Sequence, residues 1–243
     1  MLSSEKRTSV EPAHEPERTE FLFEPIQPPT LKDRVAAQIH VAILTGDLAP
    51  GARIVESRLA KQMNVAQTTV REAMQDLETQ GLVVKYVNRE TVVRTFTRED
   101  LESLFHLRIV LEGLAVEWAH PYGSEETLAP LYQLAEGMRA AALKNAIPEF
   151  YEIDLRFHRK LWSLAHNEFL ERALIPLSVG PIAFVLAGSP VPLKGNYVQV
   201  AGDHVDILDA LKTTTPKGAR KVMEEKLRSW HRLQLPGFRE RNS

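Results

Sequence analysis

The 243-residue chain has no cysteine. Disulfides and thiolate metal sites are therefore excluded, and any transition metal must be held by histidine and carboxylate. The same absence fits a reducing cytoplasm. A strong charge of one sign is also missing: 30 Lys and Arg stand against 32 Asp and Glu, for a formal net charge of −2. That excludes a wholly basic nucleic-acid coat, but not a DNA-binding module with a local basic face. The N-terminal stretch MLSSEKRTSVEPAHEPERTE has no apolar segment of the kind a signal peptide needs. Residues 173–193, ALIPLSVGPIAFVLAGSPVPL, carry no charge and are about long enough to span a bilayer. However, Pro176, Pro181, Pro190, Gly180 and Gly188 interrupt them and no basic cluster flanks them, so a buried, kinked core helix is expected and no membrane partner.

What is present is enough for a core: 44% of residues are hydrophobic and 26% charged, over a length that allows one large domain or two ordinary ones. Residues 1–29 are rich in Glu, Pro, Ser and Thr and read as a disordered tail, as do 236–243. Thr30 is a good N-cap for a helix whose apolar stripe is Val35, Ile39 and Ile43. Gly46 ends it, and a short helix with Leu59 and Met63 inward follows. A tight turn at Asn64–Gln67 leads into a third helix, which Gly81 stops. LVVKY and TVVRTF, separated by VNRE, read as a β-hairpin.

From about residue 98 the pattern is helical. The first helix has Leu104, Leu107, Leu111 and Leu114 near heptad spacing, and further helices are expected at 125–144, 147–166, 168–187, 197–213 and 217–232. Asn167 and Pro216 sit where a cap and a first-turn proline belong. The expectation is a mainly α protein, with a winged helix-turn-helix over 30–95 and an all-helical bundle over 98–235.

The residues also carry a resemblance. The G-x-L-x-P-G turn at 46–51, Leu59-Ala60, T-x-V-R-E-A-x-x-x-L from Thr68 to Leu77 and Gly81-Leu82-Val83 follow the order and spacing of the GntR-family DNA-binding domain. LFHLRIVLEGLAVEWA, DLRFH, HNEFL and HVDILDAL resemble landmarks of the FCD effector domain of that family's FadR branch. In the third helix Val70, Ala73, Met74 and Leu77 face inward, while Thr68, Arg71 and Gln75 lie on the other side. Gln67 or Arg71 can reach a base edge, and Thr68 and Thr69 suit phosphate or methyl contacts. Asn88 and Arg89, in the wing, are assigned to DNA as well. Residues 30–95 carry a net charge of only +2, so modest non-specific affinity is expected.

There are departures from the family pattern. Gly-Val-Ser-Arg is replaced by Asn64-Val65-Ala66-Gln67. Asn64 can still take a left-handed turn, Ala66 gives up a capping hydroxyl, and Gln67 is a neutral reader. The wing's usual Arg-Gly is Arg89-Glu90, and an acid there should repel phosphate. The resemblance then implies an operator other than the family's commonest one.

In the second domain Asp154 and His158 are four apart on one helix face, a spacing that suits either a solvated pair or a metal site. The FCD resemblance implies that such a pair joins two further histidines around a divalent metal (zinc, nickel or iron), which can in turn bind a carboxylate effector. His204 matches one of them. The position of the last falls on Lys226, and His231, five residues on, is about 140° further round the helix.

Two arrangements follow. Lys226 can replace the metal as the pocket cation, paired with Asp154, or Asp154, His158 and His204 can form a three-ligand metal site with Lys226 turned aside. The first is favoured. Arg108 is either a surface partner of Glu112 or a guanidinium that clamps an effector carboxylate. The expected function is a cytoplasmic, homodimeric repressor that binds a double-stranded DNA operator and answers to a small anionic effector. A metal-dependent hydrolase is the remote alternative, since no general base is recognisable near the ligands.

Overall fold

The computed structural model describes residues 29–86, 90–188 and 194–234. The expected tails, and Asn88 and Arg89 in the wing, lie outside the described residues, apart from residue 29. The chain is mainly helical. Helix α1 (Leu31–Leu44) starts at a capping box: Thr30 Oγ1 accepts from the Asp33 amide at 3.2 Å, and the Asp33 carboxylate accepts from the Thr30 amide at 2.8 Å. Helix α2 (Glu56–Met63) ends at Asn64 with φ 52°, the left-handed turn expected of it. Helix α3 (Gln67–Thr79) starts at Ala66 without any side-chain cap.

The expected hairpin is present as β2 (Val83–Lys85) and β3 (Thr91–Val93), but it is part of a three-stranded sheet. Strand β1 (Arg53–Ile54) pairs antiparallel with β3, Arg53 opposite Val92 and Ile54 opposite Thr91. Two residues are too few to show an alternating pattern, so this strand left no periodic trace in the sequence.

Helix α4 (Arg98–Ala119) opens the second half with the same device as α1, a Thr97/Asp100 capping box. A short 3-10 turn at His120–Tyr122 follows, then α5 (Glu125–Lys144), α6 (Ile147–Ser163), α7 (Glu168–Gly188), α8 (Lys194–Thr213) and α9 (Pro216–Gln234). Asn167 caps α7 by accepting from the Leu170 amide at 3.0 Å. Residues 189–193 of the uncharged run lie outside the described residues, and residues 173–188 lie in α7, one helix continuing through Pro176 and Pro181. It is buried on all sides from Ser178 to Ala183, as expected of a helix with no polar face. Among the described residues no helix is long and apolar enough to cross a membrane.

The heptad leucines of α4 do not mark its buried stripe. Leu107 is 53% exposed. The inward positions are Leu101, Phe105, Arg108, Ile109, Glu112, Ala115 and Val116. Two charged residues in phase with the apolar stripe broke the pattern that leucine spacing was expected to follow. Val116, Leu131, Met138, Phe157, Leu208 and Met223 belong to the main core of the bundle. A second core crosses the domain boundary: Tyr151 of α6 and Val179, Ile182 and Ala183 of α7 pack with Val35, Ile39, Val70 and Leu77 of the helix-turn-helix.

Candidate functional site: a DNA-reading face and a buried pocket

On α3, Val70, Ala73, Met74 and Leu77 are buried, while Gln67, Thr68, Arg71 and Gln75 are exposed and Thr69 is half-buried. The helix therefore offers a polar face beginning at its N-terminus, where free N–H groups favour phosphate. Glu56, at the start of α2, faces the same side and was missed by sequence reasoning. Its carboxylate lies 3.3 Å from Arg71 Nε and 3.9 Å from Lys85 Nζ. Just before the central strand β3, Glu90 is not a bare acid as expected: Arg53 Nε lies 3.2 Å from its carboxylate and offsets its charge. A strand invisible in the sequence supplies that partner.

The pocket lies between α4, α6, α7, α8 and α9. Its cavity of about 50 Å³ is lined by Arg108, Tyr151, Asp154, His158, His204 and Trp230, among others. That is room for a few water-sized groups. Asp154 and His158 come from one face of α6, four residues apart, and His204 comes from α8. Their ligand atoms all lie within 4.8 Å of one another. His204 Nε2 is 3.0 Å from Asp154 Oδ1 and 3.3 Å from His158 Nε2. His158 Nε2 is 3.7 Å from Asp154 Oδ1.

The outer nitrogens are occupied differently. His204 Nδ1 donates to the Val200 carbonyl at 2.7 Å, which leaves Nε2 as the inward atom. His158 Nδ1 lies 2.8 Å from Glu112 Oε2. That contact is bent, and Nδ1 has no better-aligned partner among the described residues. Burial pushes the Asp154 carboxyl up, but His158, His204 and Arg108 outweigh it and hold it below its usual range. Burial pulls the His204 imidazole down, and the bond to Asp154 more than restores it, so its proton affinity is raised.

Arg108 and Glu112 form the i,i+4 pair anticipated as one alternative, but not on the surface: both are buried, and Arg108 Nε donates to Glu112 Oε1. Glu112 also accepts from Trp162 Nε1 at 3.3 Å. Burial alone would raise the Glu112 carboxyl, but Arg108 and His158 bring it down to about 2. The Arg108 guanidinium lies over the Trp230 ring, 5.6 Å from its centroid. Its terminal nitrogens take no protein acceptor among the described residues. Sequence reasoning saw Glu112 only as a partner for Arg108. The overlooked signal was that both charges fall in phase with the apolar stripe of α4.

Lys226 requires a correction. It lines the pocket, but its amine lies 2.7 Å from Asp203 and 2.5 Å from Asp206, not on Asp154. Burial lowers its proton affinity, and these two carboxylates more than compensate, leaving it raised. Counting along α9 gave the helical phase of Lys226 but not the acids that α8 would bring opposite it. His231 packs on Phe105, centroid to centroid 4.7 Å, and is not among the metal-type cluster.

The donor set fits a divalent cation. Two imidazole nitrogens face each other with their outer nitrogens turned to a carbonyl and a carboxylate, beside one carboxylate oxygen. Without a cation, a proton on His204 Nε2 has Asp154 Oδ1 at 3.0 Å and His158 Nε2 at 3.3 Å as acceptors. Such outer partners are the usual support of metal-ligating histidine.

Comparison with known proteins agrees with this anatomy. The profile of bacterial regulatory proteins of the gntR family matches residues 31–93, and that of the FCD domain matches 103–229. The chain is 33% identical over 138 residues to the HTH-type transcriptional regulator YdhC of Bacillus subtilis, a match covering 56% of this chain and 62% of that protein. It is 24% identical over 186 residues to the gluconate operon transcriptional repressor of Bacillus licheniformis, covering 74% and 75%. Among solved structures it resembles McbR/YncC of E. coli, with a TM-score of 0.71 at 22% identity over 85% of this chain and 98% of that one. A GntR regulator from Rhodococcus sp. RHA1 gives a TM-score of 0.66 at 26% identity over 86% and 99%. The chain belongs to the GntR family of bacterial transcriptional regulators, in the branch with a C-terminal FCD domain, a family of regulators and not of enzymes.

Proposed function

We propose that this protein is a cytoplasmic, homodimeric repressor that reads an operator with α3 and its wing and is released by a small carboxylate bound beside a divalent cation. The observation that carries the effector reading is the Arg108 guanidinium: held at Nε by Glu112 and stacked on Trp230, it keeps its terminal nitrogens for a ligand in the same cavity as Asp154, His158 and His204. A fork of two N–H groups is suited to a carboxylate.

Asp154, His158 and His204 would hold the cation, which when bound supplies an open coordination position for the effector's oxygen. With Asp154 and Glu112 ionised against Arg108 and a divalent ion, the buried groups keep a single positive charge, which one carboxylate neutralises. The cavity volume favours a short acid. Lys226, engaged by Asp203 and Asp206, is left a place at the rim and not the role of pocket cation.

On the DNA side, Gln67, Thr68, Thr69 and Arg71 are the reading residues, with Asn88 and Arg89 assigned to the wing. A dimer suits a module that reads paired half-sites about one helical turn apart. Leu107, Val110 and Trp118, exposed along the outside of α4, offer apolar area for it.

The test has two arms. In a gel-shift titration at fixed salt on a duplex selected from a random pool, Arg71→Ala is expected to lose about 1–3 kcal/mol of binding with fold and dimer intact. In thermal shift with nickel and a panel of short monocarboxylates, wild type is expected to be stabilised and Arg108→Gln to lose the acid's contribution only. Unchanged operator affinity in the first arm removes Arg71 from the interface. No shift with any acid in the second removes the carboxylate reading.

A further inference from the structure

Glu112 is fully buried behind Arg108 and His158, and it is neither a member of the Asp154, His158 and His204 cluster nor part of the cavity lining. Its two oxygens face two different jobs. Oε1 accepts from Arg108 Nε. Oε2 accepts from Trp162 Nε1 at 3.3 Å and lies 2.8 Å from His158 Nδ1. Trp162, only 1% exposed, fixes the carboxylate from behind. A buried carboxylate is costly unless it is paired, and here Arg108, Trp162 and His158 stand against its two oxygens.

We infer that Glu112 is a positioning residue that ties the cation half of the pocket to its anion half. Through Oε2 it keeps the proton of His158 on Nδ1 and so turns the bare Nε2 toward His204 and Asp154. Through Oε1 it orients Arg108 so that the terminal guanidinium nitrogens, and not Nε, face the cavity. His204 has its own tautomer lock in the Val200 carbonyl. His158 Nδ1 makes no well-aligned hydrogen bond among the described residues, and its charged neighbour there is Glu112 Oε2 at 2.8 Å, so the two histidines depend on different anchors. One consequence is specific: a single substitution at Glu112, which by this geometry touches no ligand, weakens nickel and acetate together. His158→Gln weakens nickel first, and Arg108→Gln weakens acetate first.

This inference rests on the cation reading above, and the experiment separates the two. Full-length protein labelled with 15N-histidine and stripped with chelator is examined by long-range 1H–15N correlation, then titrated calorimetrically with nickel and, once loaded, with acetate. Wild type is expected to show His158 protonated on Nδ1 and bare on Nε2. Glu112→Gln is expected to mix the two tautomers and to weaken nickel about ten- to hundredfold, the usual cost of losing an outer partner of a ligating histidine, with acetate weakened as well.

The wild-type spectrum needs no variant, so a poorly folded Glu112→Gln does not block the answer: His158 protonated on Nε2 in the wild type overturns the inference. Nickel affinity and tautomer both unmoved in a folded Glu112→Gln overturn it too, while leaving the cation site intact. If the wild type itself takes no nickel, the cation reading falls and this inference falls with it.

Discussion

His40 shows how one residue can record a domain contact. It lies on α1, yet it is 5% exposed because α6 covers it. Its Nδ1 is 3.4 Å from Glu152, its ring meets Tyr151 edge-on at 5.3 Å, and its Nε2 has no hydrogen-bond partner among the described residues. Burial, with Arg159 adding to it, pushes the imidazole down to about 4 from an ordinary 6.5. The folded protein therefore carries His40 neutral where the unfolded chain would charge it. Above pH 6.5 neither state binds the proton and His40 adds no pH dependence. Between 6.5 and 4 the unfolded state binds it alone, so stability falls as pH falls, levelling at a loss of roughly 3 kcal/mol. Urea unfolding across that range should show His40→Leu losing less stability than wild type on acidification, since both proteins share every other titrating group. Parallel curves for the two proteins would mean that His40 titrates as if exposed.

At the scale of elements, much was legible. Thr30, Asn167, Gly81 and Pro216 each punctuate a helix where their chemistry said they should. The helix-turn-helix inward face was legible because Val70, Ala73, Met74 and Leu77 repeat at 3.6-residue spacing. Asp154 and His158 were legible as a pair because one helix carries both. What failed were relations between elements. Two-residue β1 has no pattern to read, and its Arg53 changes the charge of the wing. Lys226 on α9 was given Asp154 when Asp203 and Asp206 on α8 were in reach.

With Arg53 against Glu90, the expected repulsion of phosphate at the wing is partly offset. Glu90→Gln keeps the Tyr86-to-Glu90 backbone bond of the turn, removes one acid and frees Arg53 toward phosphate. DNA binding should tighten at low salt, and the gain should shrink as salt rises, because both side chains are exposed and screened. Weaker binding at every salt concentration would put the Arg53–Glu90 pair away from the DNA backbone.

At the scale of the whole molecule, the helix-turn-helix and the effector domain are not beads on a string. Helix α3 ends at Thr79 with Gln80 as its C-cap, and Gly81, with φ +75°, lies against α7. The approach is backbone to backbone: a Cβ built on Gly180 would collide with the Gly81 carbonyl. Two residues on, Ile182 is both pocket wall and a member of the core shared with the DNA-binding module. Tyr151 lines the pocket too, meets His40, and donates from its hydroxyl to the Val179 carbonyl at 2.7 Å. Tyr151 and Ile182 thus join the pocket wall to the core packed beneath α3.

Gly180→Ala tests that joint. A methyl there cannot be absorbed by a side-chain rotation, because the opposing atoms are main chain, so α3 must lift from α7 at a cost of about 1–3 kcal/mol. The expected outcome is a thermal transition that splits in two, with nickel and acetate still binding in the pocket but acetate no longer altering operator affinity. A single unshifted transition with the acetate response intact would mean that the two modules communicate by some contact other than the Gly180–Gly81 approach.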